Sequence, residues 1–278
     1  MDPIVTAAVL AASLLHASWH ALVKSSGDQV IALAGMNLVS GAVALALVPL
    51  ASPLPQIAYA IIAGSVLLHG GYKLALAQLY RRADLGQAYP LARGLIPVIA
   101  AALAFIALGE LPAPLVLAGI GLICTGIASL AFERRTITVP VLGMAAAAGL
   151  AVAAYSVVDA YGIRISGDWF SFTVWLVAFD STAFVVYTLV TRREAALRTW
   201  RSGWGRVLVS GGLGVGAFGV FMWALGRAPV GSVTALRETS VLFAAIIGAV
   251  ALRERTTWKR YAAAIAVTAG VGVIALAR

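Results

Sequence analysis

Residues 92–112 read ARGLIPVIAAALAFIALGELP, and residues 236–256 read LRETSVLFAAIIGAVALRERT. When the two stretches are aligned without a gap, Arg93 pairs with Arg237 and each arginine precedes a long apolar run. Self-similarity at a fixed offset is typical of a duplicated structural unit. The chain is therefore predicted to consist of two related halves.

The composition is that of a membrane protein. Of 278 residues, 62% are hydrophobic and 11% are charged, with a mean hydropathy of +0.96, whereas soluble domains carry about a quarter charged residues. Apolar runs of roughly 20 residues, the length that crosses the hydrocarbon core, recur along the chain. We predict ten transmembrane helices over residues 5–24, 30–50, 57–80, 85–107, 113–132, 139–162, 168–190, 207–226, 230–251 and 258–277.

The repeat groups these helices into two sets of five. The predicted fold is an all-α integral membrane protein with ten transmembrane helices in two inverted five-helix repeats, residues 1–132 and 139–278. An odd number of helices per half makes the second half cross the membrane in the opposite direction. Only residues 191–206 form a connection of any size, so the activity is expected within the helix bundle.

The basic residues indicate an orientation. Most of the 20 lysines and arginines lie in the odd-numbered connections, whereas the even-numbered connections and the two termini hold only Arg164, Arg227 and Arg278. Basic connections stay in the cytoplasm. Both termini are therefore predicted outside, and because this distribution accounts for the net charge of +9, no nucleic-acid partner is expected.

Charged residues also fall inside the predicted spans. Because a charge that faces lipid is costly, these side chains should face the bundle interior or a cavity. One interpretation is a set of structural ion pairs, with neighbouring Arg237 and Glu238 as an example. The other is a binding site in which a cation captures a carboxylate and an anion receives an amine or a proton, which suits a zwitterion. The residues are Lys73, Arg93, Arg237, Asp159, Asp180 and Glu238.

Two spans carry a stripe of polar and aromatic side chains on one face. These stripes could surround a ligand that has a planar or apolar body and a charged group. The alternative is anchoring at the membrane interface together with hydrogen bonds between helices. The first stripe contains His16, Trp19 and His20, the second contains His69, Tyr72 and Lys73, and Tyr89, Tyr155 and Trp175 are further candidates for substrate binding.

The fourth span contains Pro90 and Pro97 on either side of Arg93. Proline interrupts the helical hydrogen bonds, and the freed backbone groups need partners in protein or water. Inverted-repeat transporters bind their substrates beside such interruptions near the middle of the membrane. The fourth span is therefore predicted to line a transport path.

A metal site or an enzyme is the main rival interpretation. His16 and His20 are one helical turn apart and could bind a metal together with His69. The chain has no HExxH motif, no Gly-x-Gly-Asp pattern and a single cysteine, and these two helices provide no acidic side chain to act as a base. We expect neither an enzyme nor a metal or other cofactor.

The sequence resembles the EamA type of the drug/metabolite transporter superfamily along essentially its whole length. In each half one helix finishes in Gly-Glu or a variant, here ALGE (107–110) and ALRE (251–254). The stretches LLHASWHALVKSSGD (14–28) and ADLGQAYPLARG (83–94) are similar to one bacterial branch, in which asparagine is expected at the position of His20.

The resemblance implies a secondary transporter of the bacterial inner membrane that works by alternating access. It most resembles an exporter of amino acids or similar small metabolites, and the alternative is an exporter of cationic drugs or other lipophilic compounds. No nucleotide-binding motif is present, so gradients would supply the energy. A zwitterion or anion requires a cation exposed to the cavity, whereas a cationic substrate requires Asp180 or Glu238 to be free of basic partners.

The predicted orientation is open to a direct test. A tag placed at Met1 or Arg278 should be accessible from outside intact cells, because the basic connections hold the opposite face in the cytoplasm. Protease protection of the tag in whole cells and in inverted vesicles measures this. A tag reached only from the cytoplasm would contradict the orientation.

Overall fold

The computed structural model describes residues 1–82, 90, 92–131, 138–244 and 258–277. Helices dominate these residues, and no strand occurs among them. The helices are α1 (Pro3–Lys24), α2 (Gln29–Leu47), α3 (Gln56–Arg82), α4 (Ile96–Leu108), α5 (Pro114–Ala131), α6 (Val139–Ser166), α7 (Trp169–Ser202), α8 (Trp204–Leu225), α9 (Val230–Glu238) and α10 (Trp258–Leu276).

Six of these helices are long and apolar enough to cross a membrane. They are α1, α2 with the short 3-10 turn that follows it, α3, α6, α7 and α8. Three shorter helices, α4, α5 and α10, are also apolar. The prediction of an all-helical, multi-pass membrane protein is confirmed, while the number of crossings stays a prediction.

The fourth and ninth predicted spans are interrupted beside the repeated arginines. Arg93 is still helical, the chain turns at Gly94 and Leu95, and α4 then begins at Ile96. In the second half α9 ends at Glu238, the residue after Arg237. A turn at Thr239 follows, and the chain is helical again from Ser240. The prolines of the fourth span predict an interruption of its helix, whereas no break is predicted from the sequence within 230–251, where the structure has one.

Protein groups satisfy the backbone at both breaks, as burial away from water requires. Pro97 lies in the first turn of α4, where a backbone N–H is not needed. The carbonyl oxygen of Leu236 accepts from the hydroxyl of Thr239 at 2.6 Å and from that of Ser13 at 3.1 Å. The breaks are therefore stable parts of the bundle.

The helices pack in a pattern that is repeated between the halves. α3 packs along α6 and α1 along α8, while α2 lies against α7 and α5 against α10. α4 contacts α6 and α9, and α1 contacts α9. When each helix of α1–α5 is exchanged with the helix five places later in the chain, every contact named here becomes another contact of the same set or stays the same. The ends of the chain also meet, since the Met1 ammonium donates to the Ala277 carbonyl at 2.9 Å.

The connection expected at 191–206 is wrong, because α7 continues through it to Ser202. The helix kinks at Arg192, whose φ of −146° and ψ of 33° are not helical. Residues Ala196 and Trp200 are spaced one helical turn apart and are both buried. Burial of this face explains why a polar stretch forms a helix instead of a loop.

The crossing of α5 and α10 depends on a glycine contact that can be tested. A Cβ at Gly270 would lie 2.6 Å from the Gly119 carbonyl oxygen, whereas nothing lies within 4 Å of a Cβ at Gly272. Gly270→Ala should lower the melting temperature in detergent, because overpacking costs about 1–3 kcal/mol. Gly272→Ala, the matched control, should be neutral or stabilising, since alanine favours a helix by about 1 kcal/mol. Equal melting temperatures for the two variants would contradict this packing.

Candidate substrate-binding site

A cavity of about 260 Å³ lies inside the bundle, between α1, α2, α3, α6, α7, α8 and α9. Its walls are largely apolar and include Met36, Phe218 and Phe221. Polar and charged side chains interrupt these walls near the middle of the helices. They are His16, Trp19, Asn37, His69, Tyr72, Lys73, Tyr155, Asp180, Ser181 and Arg237.

The cavity extends toward one end of the bundle. Leu47, at the end of α2, and Trp169 and Phe170, at the start of α7, line this part. Asp168 caps α7 there, and the hydroxyl of Ser171 together with helix amide groups lowers the pKa of the Asp168 carboxyl by stabilising its charged form.

The opposite end of the bundle is closed by packing. An apolar cluster of α1, α2, α3, α7 and α8 side chains, among them Val23, Ile31 and Trp200, fills the space beyond Trp19. An ion pair of 2.5 Å between Arg192 and Asp28 lies beside it. Among the described residues, the cavity lining reaches the end of the bundle at Leu47 and Trp169, and this apolar packing lies toward the other end.

One ion pair belongs to the cavity wall. The Lys73 ammonium donates to Asp180 Oδ2 at 2.5 Å and to Asn37 Oδ1 at 2.9 Å. The amide nitrogen of Asn37 donates to the Leu33 carbonyl, which points its oxygen toward Lys73. Sequence reasoning missed Asn37, although a lone amide within an apolar span could have indicated it.

Arg237 presents a second cation to the cavity. Its Nη2 donates to the Tyr155 hydroxyl at 2.7 Å, and its guanidinium lies 4.2 Å from the ring centre of Phe221. Its Nη1 is buried and has no hydrogen-bond partner within the described ranges. A buried donor without a partner costs about 1–3 kcal/mol, and more when it is charged. Arg237 therefore carries an incompletely satisfied charge at a position beside the cavity.

Arg93 and Glu238 form an ion pair behind the cavity wall. Arg93 is 1% exposed and Glu238 is fully buried, and Arg93 Nη1 lies 3.0 Å from both carboxylate oxygens. Arg93 Nη2 donates to Nε2 of His16 at 2.8 Å, to Nε2 of His20 at 3.0 Å and to the Tyr72 hydroxyl at 3.1 Å. Glu238 thus pairs with the arginine of the other half, and the expected ion pair with its neighbour Arg237 is absent from the described residues.

A third buried pair touches the cavity at one edge. His69 Nε2 lies 3.1 Å from Asp159 Oδ2, and the Ser65 hydroxyl donates to the other carboxylate oxygen. Asp159 is fully buried, while the His69 ring lines the cavity and stacks on Tyr155 at 3.9 Å between ring centres. This pair links the cavity wall to the interface between α3 and α6.

The structure distributes the predicted substrate-binding residues over three locations. Those in the cavity wall are His16, Trp19, His69, Tyr72, Lys73, Tyr155, Asp180 and Arg237. His20, Arg93 and Glu238 lie behind the wall, Trp175 packs against Tyr59 and Phe179 outside it, and Tyr89 lies outside the described residues.

The three histidines do not form a metal site. His16 and His20 turn Nε2 toward Arg93, whereas His69 turns its Nε2 toward Asp159. An arginine occupies the place where a shared cation would have to bind. In the part of the chain that the structure describes, no group of three potential ligands is close enough to hold a metal.

The fold and the cavity define a multi-pass membrane protein with an internal polar site. Residues 140–276 match the model of the EamA-like transporter family, the family that the sequence motifs predicted. A comparison with curated proteins gives no match. A protein of known crystal structure superimposes with a TM-score of 0.77 and 16% identity over 98% of this chain and 96% of its own, a likeness that shows the fold alone.

The buried pair of Arg93 and Glu238 should be essential for stability. Glu238→Gln leaves a buried guanidinium without its counter-charge, and breaking a buried pair costs about 3–5 kcal/mol. We expect a large fall in melting temperature and in the yield of folded protein. Asp28→Asn is the matched control, since it removes the carboxylate charge from the partly exposed pair with Arg192. An exposed ion pair contributes only about 0–1 kcal/mol to the free energy of unfolding. Equal falls in melting temperature for the two variants would contradict a larger contribution of the Arg93–Glu238 pair to stability.

Proposed function

We propose that the protein is a secondary transporter that exports amino acids or similar small metabolites by alternating access. The match to the EamA-like family supports small-molecule transport across a membrane. The observation that carries the substrate class is the guanidinium of Arg237, a cavity-lining residue whose buried Nη1 has no hydrogen-bond partner within the described residues. A substrate carboxylate would supply the charged acceptor that this group needs.

The remaining cavity wall suits the other parts of an amino acid. Asp180 lines the cavity and would accept the substrate ammonium group if Lys73 turned from it to the substrate carboxylate, an exchange that a cation without a carboxylate does not offer. Phe218, Phe221 and Met36 offer apolar surface for a side chain. The volume of about 260 Å³ lies below the roughly 300–1,000 Å³ of drug-sized pockets. A single small zwitterion therefore fits the charge, polarity and size of the site.

The alternative, export of cationic drugs, has less support from the charges. It requires Asp180 or Glu238 to be free of basic partners. Asp180 is paired with Lys73, and Glu238 is paired with Arg93. The cations that line the cavity, Lys73 and Arg237, would repel a cationic substrate.

The packing of the helices supports an inverted-repeat mechanism. The contact pattern is unchanged when the two sets of five helices are exchanged, and each set has a helix break beside its repeated arginine. In inverted-repeat transporters, movement of one half against the other exposes a site near the middle of the membrane to either side. With outside termini, the cavity lining would reach the outer side at Leu47 and Trp169, and the Arg192–Asp28 pair would lie on the cytoplasmic side.

Counterflow in proteoliposomes tests the substrate class. Purified protein should exchange several labelled amino acids, and the matching amines that lack the carboxylate should compete at least about tenfold more weakly, because one charged hydrogen bond contributes about 1.5–3 kcal/mol. Equal competition by the amines would contradict a carboxylate site. If the protein in the vesicles is folded and none of the amino acids shows counterflow, the proposed substrate class is wrong.

The role of Arg237 is tested in the same vesicles. Arg237→Gln should raise the amino-acid concentration for half-maximal counterflow by about tenfold or more, since the charged donor is lost. Arg82→Gln removes the same charge from an exposed position at the end of α3 and serves as the control. If the amino-acid concentration for half-maximal counterflow is unchanged in Arg237→Gln, Arg237 does not bind the substrate.

A further inference from the structure

The helix α7 extends beyond the length that a membrane crossing needs. Residues 169–191 already span the hydrocarbon core of about 30 Å at 1.5 Å per residue. The kink at Arg192 follows immediately, and the helix then continues to Ser202. The second part of α7 therefore lies at the membrane surface, at the closed end of the cavity.

Residues 193–206, which we call the basic segment, have two different faces. The exposed residues of this segment include four arginines and a single acidic residue, Glu194. Trp204, at the start of α8, is 48% exposed beside them. The other face is buried through Ala196 and Trp200. The exposed arginines are Arg193, Arg198, Arg201 and Arg206.

The basic segment is held to the bundle in a defined orientation. The indole nitrogen of Trp200 donates to the Ile31 carbonyl at 3.0 Å, and a Cβ at Gly35 would meet the same indole. Arg192, directly before the segment, pairs with Asp28 at 2.5 Å. Both attachments are to the start of α2, so the arginines are directed away from the protein.

We infer that the basic segment is a binding surface for the headgroups of anionic membrane lipids. Clustered cations next to a membrane-spanning helix attract acidic lipids, and an exposed tryptophan is favoured at the headgroup level. The planar guanidinium matches the geometry of a phosphate oxygen pair. Mutual repulsion among the four arginines would be relieved by such lipids.

This surface would connect lipid composition to the transport cycle. Trp200 and Arg192 belong both to the attachments of the basic segment and to the closed end of the cavity. Anionic lipid bound along the segment would hold it against α2 and stabilise the conformation in which this end is closed. The binding itself is independent of the transported substrate.

Lipid retention by the purified protein tests the inference. Protein in detergent is mixed with phosphatidylglycerol or phosphatidylcholine, and bound lipid is counted by native mass spectrometry. We expect preferential binding of phosphatidylglycerol, a loss of about fivefold or more in the variant Arg198→Gln/Arg201→Gln, and a weaker preference at high salt. The control Arg164→Gln/Arg227→Gln removes the same charge from exposed positions at the opposite end of the bundle and should stay close to wild type.

The opposing outcomes are distinct. Equal retention of the two lipids by wild type, or equal loss in the segment variant and its control, would overturn the inference. Full displacement of phosphatidylglycerol by inorganic phosphate would indicate a site for free anions and would also overturn it. If the first variant is not folded, Arg193→Gln/Arg206→Gln takes its place with the same expected loss.

Discussion

The ion pair between Arg93 and Glu238 connects the two halves of the chain at the points where their helices are interrupted. Arg93 precedes the break before α4, and Glu238 is the last residue of α9. A single charge buried in an apolar bundle is strongly unfavourable, so each residue requires the other half of the chain for its position. The same guanidinium binds His16 and Tyr72, which also line the cavity. The pair therefore fixes the fold and one wall of the site together.

The buried charges explain the character of the cavity. Two of the three cations have a carboxylate partner in direct contact, Lys73 with Asp180 and Arg93 with Glu238. Arg237 reaches the third carboxylate, Asp159, only indirectly, through the Tyr155 hydroxyl and the stacked ring of His69. Its positive charge is therefore less fully compensated where it faces the cavity. The proposed substrate carboxylate would supply an acceptor that the described residues do not provide.

Much of the fold and part of the site could be predicted from the sequence, because hydropathy and buried charge depend on residue type alone. Partners could not be predicted in this way, since they depend on helix rotation. Arg237 and Glu238 are adjacent in sequence but about 100° apart around a helix, and they serve different neighbours. The first break had Gly94 and Pro97 as signals, whereas the second has no proline and depends on hydroxyl groups such as that of Thr239. The inverted repeat and the orientation stay predictions.

Cysteine accessibility at the cavity wall would show whether the transported substrate occupies this cavity. Thr173 lines the cavity between its open end and the Lys73–Asp180 pair, and the only native cysteine, Cys124, is buried. In a Cys124→Ser background, Thr173→Cys is treated with a membrane-impermeant thiol reagent from each side of sealed vesicles. We expect reaction from the side of the chain termini, slowed by an amino acid that the protein exchanges. Reaction at the same rate with and without saturating amino acid would contradict a substrate site in this cavity.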